Sequence, residues 1–187
     1  MPWQWRAPVS LMHAGAMSSD AARRAQGYGF LLLGCVVLIF VGLVTKSWLT
    51  GASRGVTVAV GPFGIESCAD GAGCSGVAWG DPRLKLPGDV HVFAILTWIS
   101  GIVAIAVAAG YGTLAFRNRR DRMPPYGYAS ATFIAALGAM IVFAVRVYTE
   151  SGSNASFGWS LVPALGGAIA ALVLVRRLAA VWPRKRA

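Results

Sequence analysis

Charge is scarce in this sequence. Asp, Glu, Lys and Arg make up 13% of its 187 residues, against about 25% in ordinary soluble domains, while 56% of the residues are apolar. That balance argues against a water-soluble globule. Histidine is also scarce: His13 and His91 are the two in the chain. No His, Cys, Asp or Glu cluster has metal-ligand spacing, and no glycine-rich phosphate loop follows a strand. Carboxylates, which proton and ion relays need at membrane depth, are missing from the apolar stretches. Enzyme and transporter readings lose most of their weight, so no catalytic residue, metal or other cofactor is expected. The first 26 residues lack a long apolar run ending in a small-residue cleavage site, so no cleaved signal peptide is expected.

What is abundant is hydrocarbon, and it comes in four blocks: 27–45, 91–116, 126–148 and 157–178. Each is close to the roughly 20 residues that a helix needs to cross a hydrocarbon core about 30 Å thick. Four transmembrane helices are predicted, flanked by an N-terminal tail (1–26) and a basic C-terminal tail (179–187). With an even number of spans, both tails share one side with the short connection RNRRDRMPP. That side carries twelve Lys and Arg against two Asp, whereas the other carries five basic and five acidic residues. Basic excess marks the cytoplasmic face, so both termini are expected there. The net charge of +10 is spread over helix ends rather than gathered into a groove, which points to topology and lipid headgroups and away from nucleic acid.

The long first loop, 46–90, is then extracytoplasmic, where disulfides form. It holds Cys68 and Cys74, while Cys35 lies mid-helix as a small apolar side chain. Pairing Cys68 with Cys74 is the simplest arithmetic; two free thiols remain the alternative, and a zinc site would need ligands that the loop lacks. GVTVAV (55–60) alternates β-branched residues, FGIESC follows a Gly-Pro turn, and SGVAW follows Cys74. A small antiparallel sheet is expected, with ADGAG as one turn. The fold class is therefore a membrane all-α four-helix bundle with a small extracytoplasmic β-sheet.

The order Trp48, strand, GPFGIESC, second cysteine, short strand and LKLPGDVHVFA resembles the claudin superfamily, which includes claudins, peripheral-myelin and epithelial-membrane proteins and gamma-type channel subunits. Its signature is an outer-loop tryptophan, then Gly-Leu-Trp-x-x-Cys and a second cysteine, on four helices with both termini inside. By this resemblance Trp48 is similar to the first tryptophan, Gly64 and Ile65 to the Gly-Leu, and Cys68 and Cys74 to the two cysteines. Leu86, Pro87 and Asp89 resemble the Leu-Pro-x-Asp that opens the second helix, and FGWSLVPALGG the entry to the fourth. Glu66 stands in place of the signature's last tryptophan, the cysteines are closer together than is usual in claudins, and PRKRA is no PDZ-binding ending. These differences weigh more against a junctional role than against the fold.

Other residues have plainer readings. Arg146, near the end of the third block, is expected to snorkel to the interface and to pair with Glu150 or a loop carboxylate. Asp89 suits a helix start. Trp79, Trp98, Trp159, Trp182 and Tyr148 read as interfacial aromatics. Small residues at four-residue spacing (Ala104, Ala108, Gly112; Gly167, Ala171; Gly166, Ala170; more weakly Gly34 and Gly42) fit close helix packing within the bundle, with a flat face for a partner helix as the alternative. Asn154 begins an N-glycosylation pattern.

The expected function is that of a non-enzymatic accessory or assembly subunit, binding other integral membrane proteins through its sheet and helix faces. The alternative is self-assembly into cell–cell adhesion or paracellular barrier strands, with Glu66 and Asp70 lining a cation path. A small-molecule carrier ranks last.

Overall fold

A computed structural model of the chain describes residues 19–53, 55–79, 81, 88–151 and 155–182. These residues hold four α-helices: α1 (Ser19–Val44), α2 (Gly88–Phe116), α3 (Tyr126–Ser151) and α4 (Leu161–Val181). Each is long and apolar enough to cross a membrane, and the protein is a multi-pass membrane protein on that ground. Runs such as FLLLGCVVLIFVGLV contain β-branched residues that disfavour helix in water. In hydrocarbon every backbone N–H must be satisfied within its own segment, and helix wins.

The helices form a ring in which each packs against its neighbours in sequence and α1 closes against α4. Small residues set the spacing. A Cβ added at Gly29 of α1 would lie 2.8 Å from the Gly112 carbonyl oxygen of α2, and one at Gly42 would lie 2.5 Å from the Ala164 Cβ of α4. Ala104, Ala108, Gly112, Gly167 and Ala171 are all buried inside the bundle, as close packing requires, whereas Gly34 and Gly166 have open space before them. The Thr97 hydroxyl of α2 donates to the Ala139 carbonyl of α3 at 3.0 Å, which satisfies a buried polar group between helices. Phe30, Val37 and Phe40 of α1, like Ile134, Ile141 and Val145 of α3, remain exposed on the lipid side.

Two helix starts differ from expectation. α1 begins at Ser19 rather than Gly27, because SDAARRAQ is rich in helix formers and places Asp20 in the first turn. α4 begins at Leu161 rather than 157, because Ala155–Phe157 is spent on a strand.

That strand is β5 of a five-stranded sheet at one end of the bundle; the others are β1 (Leu49–Ser53), β2 (Val56–Gly61), β3 (Gly64–Ala69) and β4 (Gly73–Ala78). The order is β4-β3-β2-β1-β5, antiparallel throughout. The three strands expected from the sequence are β2, β3 and β4; β1 and β5 are additional. Gly64 closes the β2–β3 hairpin at φ 147°, where an added Cβ would run into the Val77 carbonyl oxygen. Asp70–Ala72 makes the β3–β4 turn, with Gly71 at φ 81° in the left-handed region that glycine tolerates. At the opposite end of the bundle, a short 3-10 turn (Arg120–Arg122) joins α2 to α3.

Candidate functional site

Side chains alternate across a strand, so the register sorts the sheet into two faces. Leu49, Val60, Ile65 and Val77 stand side by side on one face; Thr50, Ala59, Glu66 and Gly76 stand on the other. The apolar face looks onto the end of α3. There Leu49, Val56, Val58, Val60, Ser151 and Ala155 line a hollow of about 400 Å³.

The sheet is clamped to the bundle by Trp48, which is fully buried just beyond α1. Its indole N–H donates to the Gly42 carbonyl. Its backbone N–H donates to the Val60 carbonyl at 2.9 Å, and its carbonyl accepts from the Gly158 N–H at 2.8 Å. The ring meets Phe143 of α3 edge to face at 5.8 Å. Trp79, just after β4, reaches the same Phe143 at 5.9 Å, while its indole N–H donates to the Gly61 carbonyl at 2.8 Å. One buried phenyl ring thus receives a tryptophan from each side of the sheet's sequence, tying both ends of the β1–β4 segment to one helix.

Cys68 and Cys74 sit directly opposite each other on β3 and β4 and form a disulfide, with Cα atoms 4.0 Å apart. Cys35 is a buried free thiol. The bond holds the Gly-rich β4 against β3. β4 is exposed along most of its length and has no strand on its far side among the described residues, so its outer backbone groups form an open edge there.

Arg146 pairs with Glu150, the partner named from the sequence, and also with Asp89, which the sequence marked only as a helix start. Its Nε donates to Asp89 Oδ2 at 2.7 Å, and its Nη2 lies 3.1 Å from Glu150 Oε1. Asp89 also accepts from the Val90 backbone N–H at 3.0 Å, in the first turn of α2. The α2 start, the α3 end and the sheet-side rim are thereby linked. Glu66 has its own counter-charge, Lys46 Nζ, at 3.7 Å. Asp70 lies apart in the exposed β3–β4 turn, where its N–H donates to the Gly55 carbonyl at 3.0 Å.

The expected residues therefore separate into a clamp (Trp48, Trp79), a crosslinked hairpin (Gly64, Ile65, Cys68, Cys74), a charged tie (Asp89, Arg146), and two acidic side chains that do not converge (Glu66, Asp70). Pro87 and Asn154 lie outside the described residues. Trp98 and Trp159 are exposed, as interfacial aromatics are, and Tyr148 stacks on Phe157 at 5.2 Å. Trp182 departs from that reading: it is buried, and its carbonyl accepts from the Tyr126 hydroxyl at 3.3 Å. Trp79 departs likewise, because its ring is engaged on Phe143.

Phe143 was not singled out by sequence. Its signal was the stripe Phe133, Ala136, Met140, Phe143 and Val147, buried at helical spacing. An apolar helix with a lipid face hides such a stripe, since both faces read as hydrophobic.

Among the described residues, no group of three His, Cys, Asp or Glu could hold a metal ion. What the arrangement offers is a crosslinked sheet on a membrane bundle, with β4 as its longer edge strand and the three-residue β5 as the other. No protein-family model matches the chain, and no curated protein matches it.

Proposed function

We propose that the protein is a non-enzymatic, claudin-like membrane protein that binds other integral membrane proteins as an accessory or assembly subunit. In this reading the sheet lies on the extracytoplasmic side, opposite the arginine-rich end. The observation that carries it is the open β4 edge, held in place by the Cys68–Cys74 bond and by Trp79 on Phe143. An unpaired strand edge offers backbone donors and acceptors to a partner strand, and a rigid edge binds with less ordering cost. The four helices with a cysteine-bridged loop beyond the first also support the claudin resemblance.

The barrier alternative has less support. Glu66 sits beside Lys46, so it does not present an uncompensated negative charge to a cation. Purification in mild detergent distinguishes the readings: a stoichiometric companion is expected, and its yield falls when Val77→Pro disrupts β4. A chain that runs alone from its native membrane, whatever the detergent, contradicts the proposal. Ordered strands of this protein alone would favour the barrier reading.

A further inference from the structure

A groove between α2 and α3, about 540 Å³ in volume, is lined by Phe93, Ile141, Val142, Val145, Arg146 and Thr149. Ile141, Val142 and Val145 are exposed on the lipid side of α3. Arg146 stands twenty residues beyond the start of α3 at Tyr126. At about 1.5 Å per residue that is roughly 30 Å, the thickness of the hydrocarbon core. Arg146 is therefore at the membrane edge on the sheet side, and the groove runs from headgroup level down into the acyl region. An apolar groove at that depth is filled by lipid.

The charges at its head select which lipid. Arg146 Nε is taken by Asp89 and Nη2 by Glu150, whereas Nη1 has no partner among the described residues. One guanidinium between two carboxylates leaves a local formal charge of minus one with three N–H donors still available, two of them on Nη1. A headgroup carrying a phosphodiester alone is repelled by the two carboxylates. A headgroup carrying a phosphodiester and an ammonium complements the site: phosphate oxygen on Nη1, ammonium on Asp89 and Glu150. A primary ammonium donates three hydrogen bonds, which a quaternary one cannot do.

We propose that the α2–α3 groove holds one phosphatidylethanolamine from the leaflet on the sheet side, its acyl chain against Phe93, Val142 and Val145 and its headgroup on the Arg146–Asp89–Glu150 cluster. The site is separate from the β4 edge and does not depend on any protein partner.

The test uses the delipidated full-length protein in micelles holding equal amounts of dioleoyl phosphatidylethanolamine, phosphatidylcholine and phosphatidylglycerol, read by native mass spectrometry. Val142→Trp fills the groove from an exposed position, so the lipid retention it abolishes defines the groove's share. That share is expected to be one lipid, favouring phosphatidylethanolamine about tenfold over each of the others, the scale of one charge-assisted hydrogen bond. Glu150→Gln, which removes one carboxylate and leaves the Arg146–Asp89 pair, is expected to erase most of that preference over phosphatidylcholine. Retention unchanged in Val142→Trp overturns the site. A share that is equal among the three lipids, or that favours phosphatidylglycerol, overturns the headgroup assignment, as does a preference undiminished by Glu150→Gln.

Discussion

Trp48 and Phe143 meet edge to face at 5.8 Å, and both are buried although one belongs to the loop after α1 and the other to the second half of α3. The contact makes sheet and bundle one packed unit, since Trp48 also carries the backbone bonds that reach β2 and the α4 entry.

Replacing Phe143 by Ala removes the ring that both Trp48 and Trp79 rest on. A loss of about 3–5 kcal/mol is expected, the usual range for deleting a buried aromatic. Thermal unfolding in detergent measures it, and Ile141→Ala, on the lipid-exposed face of the same helix, is expected to shift the midpoint much less.

Replacing Cys68 and Cys74 together by Ser opens a loop of six-residue separation. On chain-entropy grounds the expected loss is about 2 kcal/mol. Hydrogen exchange along β4 should rise in the double variant and, to a similar extent, in the reduced wild type, while exchange in the helices stays unchanged.

Two glycines of α1 give opposite outcomes. Gly42→Ala places a methyl 2.5 Å from the Ala164 Cβ, so overpacking costs about 1–3 kcal/mol. Gly34→Ala meets nothing within 4 Å and gains helix propensity, so it is expected to be neutral or slightly stabilising. Paired unfolding midpoints check both.

Arg146→Gln and Asp89→Asn break the same 2.7 Å contact. Each is expected to lower the unfolding midpoint by less than Phe143→Ala does, and the double variant by less than the sum of the two, because partners in one ion pair are not independent. Raising salt should shrink the wild-type advantage, as it does for partly exposed pairs.

The sequence made the helices legible because hydrocarbon dictates both their length and their hydropathy. It also exposed β2, where Val56, Val58 and Val60 alternate, and Glu150 as a partner of Arg146; Asp89 was legible only as a helix start. β1 was hidden because LTGAS has little strand propensity of its own; pairing with β2 on one side and β5 on the other makes it a strand. β5, three residues long, was absorbed into the apolar run of α4. Trp182 reads as interfacial because position along a span says nothing about which way a side chain turns, and Trp79 because its place after a short strand does not reveal the buried ring it meets on α3.

The most direct test of the account is crosslinking from the open edge. A photoreactive residue at Ser75 of β4, in protein expressed in its native membrane, is expected to give one discrete adduct with another integral membrane protein. The same residue at Asp121, in the turn at the opposite end, is expected to give none. Adducts from Asp121 with no adduct from Ser75, or adducts from Ser75 with further copies of this chain alone, would contradict it.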